Sequence, residues 1–409
     1  MRKYRGIRKT YYDLNSSRPA TISEAQSRRN SISSIQLDFT MDGFPAFIMY
    51  CDEIVAKITG ILRACRAVES LINGRSKGLP SVAIEQFVGQ AIVDEIQQTN
   101  EVENVHSTRK EIHESMDEVQ QGGHGKRFAG MIRKYILLGQ EKKPLRTCQD
   151  IRKLYDDFIL DEIKEENPKN VPDGIFFRKE PVAVHDSHDR NIHNGLFPES
   201  AINAAMENAL AFLNDDGYDP FVRVAAFHYM FGYIHPFYDG NGRMARFISS
   251  YVLAMSDVPN VICYRLSYVI KSRRKEYYDL FKDANDRHNY GDMTSFVIGF
   301  LDMLRDAAQQ TFDALSETSK KLDRYSDLLT KTNLKEDQQS ILWILIQLSV
   351  CSPLGMDYEE LGSICKMSRS KLIHEINAMG DYVIKGKNSK KNAFHANLER
   401  LDLIEEQPT

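Results

Sequence analysis

One stretch of the chain is apolar on nearly every side, and it limits the fold more than any other segment. It starts with Asp219, a good helix N-cap, and Pro220, which suits the first turn of a helix. The residues that follow cover all faces of that helix: Phe221, Val222, Val224, Phe227, Met230 and Phe231. A helix of this kind belongs in the interior of a helical domain. We therefore predict a buried central helix that ends near His235.

A second helix is predicted after a short loop. Its apolar residues recur three and four positions apart: Met244, Phe247, Ile248, Tyr251 and Val252. The loop between the two helices reads HPFYDGNGRMAR from His235 to Arg246, and we call it the phosphate loop. Rigid helices on both sides would hold it in place.

The phosphate loop has the composition of an anion site. Gly240, Asn241 and Gly242 let the backbone turn successive N–H groups toward an anion. A helix that begins near Asn241 would add its positive end. Arg243 and Arg246 lie three positions apart and so share a helix face. Two guanidinium groups suit more than one phosphate.

Two further side chains of the loop carry chemistry. Asp239 offers a hard carboxylate for Mg²⁺ or Mn²⁺ beside the phosphates. His235 suits removal of a proton from an attacking hydroxyl, because imidazole titrates near neutral pH. Each residue type alone is more often structural, but their combination in one loop indicates a phosphate-handling site.

The loop fits every fixed position of the pattern HxFx(D/E)GNGRxxR and so resembles the Fic family. The resemblance implies a mostly α fold: a helical core with a short β-hairpin flap, and a small C-terminal winged helix-turn-helix domain. It implies that His235 is the catalytic base and Asp239 the metal ligand. It further implies that Gly240–Gly242 form the anion hole, while Arg243 and Arg246 hold the β- and γ-phosphates of ATP.

An upstream segment resembles the inhibitory motif of the same family, (S/T)xxxE(G/N). Thr99 to Asn104 reads TNEVEN and fits, whereas Ser81 to Gln86 reads SVAIEQ and fails at its last position. The resemblance implies that Glu103 reaches Arg246 and neutralises the group that the γ-phosphate needs. The predicted enzyme is therefore self-inhibited at rest, and removal of AMP from modified targets is a secondary role.

A short β-hairpin is predicted within GIFFRKEPVAVHDSHDRNIHNGLFPES, with the apolar residues Phe176, Phe177, Val182 and Val184. In the Fic family such a flap pairs with an extended segment of the target. We therefore expect a protein substrate to dock along about Phe177 to Val184. A metal site is not favoured here, because three nearby histidines are irregularly spaced: His185, His188 and His193.

The segment KSRRKEYYDLFKDAN resembles the nucleoside-side helix of the family, YYxxLxxAN, except that Phe281 replaces the leucine. The resemblance implies that Tyr277 and Tyr278 flank the adenosine and that Asn285 forms hydrogen bonds to it. A tyrosine pair packed between two helices is an almost equally good interpretation.

Other segments also show helical patterns. Pro45 to Ile72 is predicted to be one amphipathic helix, and Pro144 to start another. Asp302 to Leu334 is predicted to be a connecting helix. Its leucines recur seven positions apart, at Leu315, Leu322 and Leu329, which is compatible with a homodimer interface along this helix.

From Lys335 the chain resembles the winged-helix module often appended to Fic enzymes. The segment YEELGSICKMSRSKLIHEINAM predicts a helix-turn-helix, and a ribbon of lysines follows: Lys385, Lys387, Lys390 and Lys391. The lysines suit DNA phosphates. The candidate recognition helix carries Arg369 and Lys371, but Glu375 on the same helix argues against base readout. Protein interaction or dimerisation is at least as good an interpretation.

Composition adds limits. The 409 residues carry a net charge of -4, so no overall nucleic-acid-binding surface is predicted. The basic start lacks the apolar core of a signal peptide, no apolar run reaches membrane-spanning length, and the six cysteines lack a CxxC pair. We expect a cytoplasmic protein without membrane contact. Its predicted segments are 1–120 with the inhibitory motif, 121–305 as catalytic core, 306–334 as connecting helix and 335–409 as winged helix.

The predicted function is transfer of AMP from ATP to a Ser, Thr or Tyr hydroxyl of a target protein or of the enzyme itself. Three alternatives remain. The related death-on-curing branch transfers the γ-phosphate, but it has a lysine in the cradle where this chain keeps Gly242 and Arg243. Transfer of another nucleotide is open, as is a DNA-binding regulator whose core only senses nucleotide.

Overall fold

The protein is mostly helical in the computed structural model, which confirms the predicted fold class. The structure describes residues 3–13, 18–74, 78–123, 127–140, 143–185, 191–388 and 391–405. The helices are α1 (Ile7–Tyr11), α2 (Arg18–Arg29), α3 (Asp52–Asn73), α4 (Ser81–Val102), α5 (Arg109–Gln120), α6 (Ala129–Ile136), α7 (Cys148–Phe158), α8 (Leu160–Glu166), α9 (Glu199–Leu213), α10 (Pro220–Ile234), α11 (Asn241–Met255), α12 (Asn260–Cys263), α13 (Leu266–Ser272), α14 (Arg274–Ala284), α15 (Thr294–Thr330), α16 (Glu336–Cys351), α17 (Tyr358–Cys365), α18 (Arg369–Ala378) and α19 (Leu398–Glu405). Three antiparallel strand pairs are described: β1 (Ser34–Met41) with β2 (Phe44–Met49), β3 (Ala183–His185) with β4 (Asn191–Asn194), and β5 (Val383–Asn388) with β6 (Lys391–Ala396).

The chain divides into two compact units. The first comprises Met1–Cys65 and Ile92–Gln309, and the second comprises Arg66–Ala91 and Gln310–Thr409. Helices α3, α4 and α15 therefore each contribute residues to both units. This grouping differs from the four consecutive segments predicted from the sequence, which stay a prediction.

The buried central helix of the first unit is α10, as predicted. Asp219 caps it by accepting a hydrogen bond from the Phe221 N–H at 2.9 Å, and 12 of its 15 residues are buried. The helix ends because His235 takes the left-handed conformation, with φ 52° and ψ 62°. Helix α11 begins at Asn241, after Gly240 has turned the chain with φ 81°. The two helices thus hold the phosphate loop between them.

The predicted helix from Pro45 to Ile72 is wrong in its first part. Residues 34–49 form the β1–β2 hairpin, and α3 begins only at Asp52. Alternate residues of β1 point inward, namely Ile35, Leu37, Phe39 and Met41. Asp42 and Gly43 both have positive φ and close the hairpin. The Asp-Gly step after a run of alternating apolar residues was the signal for this turn.

The predicted helix start at Pro144 is also wrong. Helix α7 begins at Cys148, where Thr147 and Asp150 form a capping box. The Asp150 N–H donates to Thr147 Oγ1 at 3.1 Å, and the Thr147 N–H donates to Asp150 Oδ2 at 3.0 Å. Two satisfied backbone donors decide the helix start here, and Pro144 lies before it.

The predicted flap hairpin lies within the predicted segment, but its strands do not include Phe176 and Phe177. Phe176 and Phe177 precede the strands, which pair Ala183 with Asn194. Residues 186–190, which include His188, lie outside the described residues. His193 Nε2 lies within hydrogen-bond distance, 2.7 Å, of the Tyr233 carbonyl oxygen, so this ring contacts the backbone of α10. Among the described residues, no group of three potential metal ligands occurs.

Helix α15 contains the predicted connecting helix but begins earlier, at Thr294. Its three regularly spaced leucines, Leu315, Leu322 and Leu329, are at most 8% exposed in the single chain. They therefore form no exposed stripe for a second copy. No helix in the described part of the chain combines the length and hydropathy that a membrane-spanning segment needs.

Helices α16 to α18 and the β5–β6 hairpin follow one another in the order predicted for the winged helix, an assignment that stays a prediction. The charged residues of α18 are already engaged. Lys371 Nζ pairs with Asp337 Oδ2 at 2.6 Å, and Glu375 Oε2 accepts from Gln338 Nε2 at 3.0 Å. The Arg369 guanidinium lies 5.7 Å from the centre of the Tyr358 ring. Lys390 lies outside the described residues, as do the side chains of Lys387 and Lys391, whereas Lys385 Nζ donates to Asn377 Oδ1 at 2.7 Å.

Candidate active site

The phosphate loop is held rigidly by one amide side chain and one aromatic ring. Asn241 Oδ1 accepts from the Phe237 N–H at 2.9 Å, and Asn241 Nδ2 donates to the Phe237 carbonyl at 2.8 Å. The Phe237 ring is fully buried and stacks on Tyr155, with 3.8 Å between ring centres. Because the Asn241 side chain is used in this way, only its backbone can face an anion.

The His235 imidazole is held in its neutral form. Burial lowers the pKa of His235 to about 4, and the Gly232 carbonyl and Glu103 oppose burial only in part. His235 Nδ1 lies 3.4 Å from the Gly232 carbonyl oxygen, so the N–H belongs on Nδ1 and Nε2 is left as the acceptor. The ring is thus prepared to accept a proton at neutral pH.

Arg243 is a buried cation whose hydrogen-bonding capacity is used only in part. Its side chain is 0% exposed, and its Nε and NH1 have no hydrogen-bond partner among the described residues. Its NH2 lies 3.5 Å from Asp239 Oδ1 and 3.9 Å from Glu166 Oε2. Buried donors without partners are costly, so a bound anion such as phosphate would satisfy this group.

Asp239 stands at the open side of the loop. Its Oδ1 accepts from the Gly240 N–H at 2.5 Å, and its Oδ2 lies 3.5 Å from Asn170 Nδ2. The side chain is 40% exposed, so it can still take a cation. One carboxylate together with substrate phosphates is a usual ligand set for Mg²⁺. The donor set therefore fits the predicted metal.

Arg246 is fully buried and bound by the upstream motif. Its NH1 forms an ion pair with Glu103 Oε1 at 2.8 Å, which is the contact that the inhibitory pattern implied. Its Nε donates to Thr99 Oγ1 at 2.8 Å and its NH2 to the Thr99 carbonyl at 3.0 Å. Two residues of one short motif thus hold the same guanidinium group.

The Glu103 carboxylate lies against the backbone of the phosphate loop. A Cβ at position 242 would overlap Glu103 Oε1, so the carboxylate lies directly against Gly242. Burial alone would raise the pKa of Glu103, but Arg246 and Arg243 outweigh it and lower that pKa. Glu103 is therefore charged at neutral pH. Asn104 turns the chain away after it, with φ 59°, which explains why the motif ends on glycine or asparagine.

A second carboxylate of α4, that of Glu95, forms hydrogen bonds with the core and was not predicted from the sequence. Glu95 is fully buried; Oε1 accepts from Ser267 Oγ at 2.6 Å and Oε2 from the Ser267 N–H at 2.9 Å. The Tyr135 hydroxyl also donates to it at 3.3 Å. A lone glutamate on the apolar side of a helix was the only sequence signal, and its partners are far away in the chain.

We predict that Glu95→Gln changes how stability depends on pH. Burial, offset only in part by Ser267 and Arg246, raises the pKa of Glu95 to about 7. A raised folded-state pKa means that the stabilisation is complete below pH 4.5 and is lost as pH rises through about 7. The glutamine does not titrate. Between pH 5 and pH 8, the free energy of unfolding of the wild type should fall relative to the variant by about 1–3 kcal/mol.

Urea unfolding at the two pH values measures this difference. Glu101→Gln is the control, because Glu101 is a partly exposed residue of the same helix that pairs with Lys271 at 3.0 Å. A difference between wild type and Glu95→Gln that stays constant from pH 5 to pH 8 would contradict the prediction.

The predicted nucleoside-side residues have protein partners in the structure. The Tyr277 hydroxyl lies 2.8 Å from His228 Nε2 in the core. The Tyr278 hydroxyl donates to the Val102 carbonyl, at the end of α4, at 3.3 Å. Asn285 Oδ1 accepts from the Tyr229 hydroxyl at 2.6 Å. Contact of these residues with adenosine stays a prediction.

The chain resembles known proteins over the segment that contains this site. Residues 146–253 match the profile of the Fic/DOC family. These residues form a Fic domain. The chain is 29% identical over 157 residues to the protein adenylyltransferase fic-1 of Caenorhabditis elegans, which covers 37% of this chain and 28% of that protein. It is 31% identical over 119 residues to the protein adenylyltransferase Fic of Drosophila persimilis, which covers 29% of this chain and 21% of that protein.

The Fic fold extends beyond the matched segment. A Fic family protein from Desulfovibrio desulfuricans G20 superposes with a TM-score of 0.51 at 17% identity, covering 85% of this chain and 96% of that one. This likeness shows the fold. The alignments span less than a third of the length of the two adenylyltransferases.

Proposed function

We propose that this Fic-domain protein is a protein adenylyltransferase, which transfers AMP from ATP to a Ser, Thr or Tyr hydroxyl of a protein target or of itself. The observation that carries the proposal is the buried Arg243, whose Nε and NH1 have no partner in the described part of the chain, in the same loop as the neutral His235. The names of the relatives support it, since both are adenylyltransferases.

The arrangement suits in-line transfer. The β- and γ-phosphates of ATP would bind to the N-terminus of α11 and to the side chains of Arg243 and Arg246. The hydroxyl would give its proton to His235 Nε2 while its oxygen forms a bond to the α-phosphorus. The bond from the α-phosphorus to the bridging oxygen breaks, and pyrophosphate leaves. Asp239 would hold Mg²⁺ or Mn²⁺, which neutralises phosphate charge when it is bound.

Self-inhibition through Glu103 is part of the proposal. The γ-phosphate and the Glu103 carboxylate are both anions that need Arg246, and Glu103 already forms the 2.8 Å ion pair. ATP that enters beside Glu103 would lose that partner, so its α-phosphorus would be misaligned for attack. Thr99 supports the inhibited state by binding the other two nitrogens of Arg246.

The protein target would dock on the β3–β4 hairpin. Strand addition supplies backbone hydrogen bonds and little side-chain selectivity, so the hairpin suits an extended segment of varied sequence. The hairpin spans Ala183–Asn194, so the proposed docking edge overlaps the predicted range, Phe177 to Val184, only at Ala183 and Val184.

We expect the Glu103→Gly variant to incorporate label from ATP labelled at the α-phosphorus but not from ATP labelled at the γ-phosphorus. The reason is that Gly242 and Arg243 keep room for the β- and γ-phosphates in the loop, so the α-phosphorus faces the hydroxyl. Mass spectrometry of the intact chain should then show an AMP adduct.

Parallel reactions with GTP, CTP and UTP labelled at the α-phosphorus test which nucleotide is used. The His235→Ala variant in the same background is the control for labelling that does not depend on the site. Label from the γ-phosphorus would instead indicate phosphate transfer, and preferred labelling from another nucleotide would overturn the choice of AMP.

A further inference from the structure

Arg178 is a fully buried arginine in direct contact with the phosphate loop, and neither the loop pattern nor the inhibitory motif includes it. Its Nε donates to the His235 carbonyl oxygen at 3.0 Å. Its NH1 donates to the Glu180 carbonyl at 2.7 Å and its NH2 to the Leu196 carbonyl at 2.8 Å. The Arg178 backbone N–H also donates to the Pro236 carbonyl at 3.2 Å. One side chain therefore ties together three separate segments.

Two of those segments are the chain that leads into the β3–β4 hairpin and the chain that leaves it, which we call its first and second legs. The third is the residue that would act as base. Glu180 comes shortly before β3, and Leu196 comes shortly after β4. A Cβ at Gly195 would overlap Arg178 NH2 and come within 3.0 Å of His235 Cβ. The close approach of the second leg to His235 thus requires glycine at position 195.

A second side chain makes an independent connection at the first leg. The Glu180 N–H donates to the Tyr238 hydroxyl at 3.0 Å, and that hydroxyl donates to Asp173 Oδ1 at 2.9 Å. Tyr238 lies in the phosphate loop, at a position that the Fic pattern leaves open. The first leg is therefore connected to the phosphate loop through Arg178 and through Tyr238.

We propose that Arg178 is a positioning residue that connects both legs of the β3–β4 hairpin to His235, so that a protein segment docked on the hairpin is aligned with the base. This inference rests on the proposed function. A guanidinium group can serve three carbonyls because its donors form a rigid planar fork, whereas a lysine ammonium on a flexible stem cannot hold the same three at once. The carbonyls are backbone groups, so Arg178 fixes the position of main chain at all three points.

The charge of Arg178 has a separate effect from its hydrogen bonds. Among the described residues, the charged or titratable groups with the largest effects on His235 are His193, Arg178 and Glu103. Burial, His193 and Arg178 lower the pKa of His235, and Glu103 raises it. Removing the Arg178 charge should therefore raise this pKa, while lysine at the same position should leave it nearly unchanged.

The test compares Arg178→Lys, Arg178→Met and Tyr238→Phe, each in the Glu103→Gly full-length chain. We expect single-turnover AMP transfer to fall on the order of tenfold to a hundredfold in both Arg178 variants, because the base is misplaced relative to the hydroxyl. Tyr238→Phe, which removes one connection and no charge, should lower it less. The affinity for a fluorescent ATP analogue should change less than about twofold, since the phosphate-binding groups are untouched.

A histidine NMR titration separates the two effects. The His235 signal, identified by its loss in His235→Ala, should titrate at higher pH in Arg178→Met than in Arg178→Lys. Arg223→Lys is the matched control, because Arg223 lies in the first turns of α10 and donates to the Leu213 carbonyl at 3.0 Å, away from the loop. It should leave transfer and titration unchanged.

Parent-level transfer in both Arg178 variants would overturn the inference, as would a loss of transfer fully explained by lost ATP affinity. Should Arg178→Met fail to fold, Arg178→Lys and Tyr238→Phe decide the outcome through the transfer rate. If the Glu103→Gly parent itself transfers no AMP, the proposed function fails. The titration of His235 then still shows whether Arg178 acts on the imidazole.

Discussion

Replacing His235 by alanine in the Glu103→Gly background is expected to lower the rate of AMP transfer by roughly 10²- to 10⁴-fold, the usual contribution of a general base. The imidazole is suited to this role because burial lowers its pKa to about 4, so it is neutral at physiological pH. The alanine variant has no group at this position to accept the proton of the attacking hydroxyl. Incorporation of α-labelled ATP under single-turnover conditions measures the loss.

ATP affinity separates a lost base from a damaged site. The variant should bind ATP as tightly as its parent, since Arg243 and Arg246 are unchanged. His374→Ala is the matched control, because His374 is an exposed histidine of α18 and its loss should not affect transfer. Transfer by His235→Ala at the parental rate, with ATP bound, would show that another group takes the proton.

Replacing Glu103 by glycine is expected to increase AMP transfer by roughly tenfold to a hundredfold, which corresponds to about 1.4–2.7 kcal/mol. The substitution removes the carboxylate that lies against Gly242 and pairs with Arg246. The Arg246 guanidinium then becomes available to the γ-phosphate. The rate of self-labelling by α-labelled ATP, compared with that of the wild type, measures the gain.

Two controls distinguish lost inhibition from a loosened helix end. Glu101→Gly introduces the same residue at the end of α4, where Glu101 pairs with Lys271 and not with Arg246. It should leave transfer at the wild-type level. Glu103→Gln keeps the shape but removes the charge, so it should be activated in part. If Glu101→Gly activates as strongly as Glu103→Gly, disorder at the end of α4 and not the carboxylate explains the gain.

The phosphate loop was largely predictable from the sequence because its determinants are local. Asp219 and Pro220 start α10, left-handed His235 ends it, and Gly240 turns the chain into α11. All of these are properties of single residues or of neighbours along the chain. The same reasoning failed at Pro45, where the alternation of β1 and the turn at Asp42 and Gly43 outweighed a proline suited to a helix start.

Contacts between distant residues could not be predicted in this way. Arg178 is 57 residues from His235, and Glu95 is 172 residues from Ser267. Neither pair has a spacing rule, because each depends on how the helices pack. Glu103 and Arg246 are also far apart in the sequence, and only the resemblance of two motifs to one family predicted their contact. Buried charged residues inside apolar runs were the one remaining signal.

Glu103 belongs to the same polypeptide as Arg246, and this has a consequence for the proposed self-inhibition. In the proposed self-inhibited state, a carboxylate delivered by its own polypeptide would compete with the γ-phosphate at an effective concentration that is set by the fold. Dilution of the protein would not weaken this competitor, and added nucleotide would displace it only at concentrations comparable with that effective concentration. A displacement of α4 by a single helical turn, about 5.4 Å, would take the carboxylate out of reach of Arg246. Relief of inhibition should therefore depend on whatever moves that helix, and only weakly on the supply of ATP.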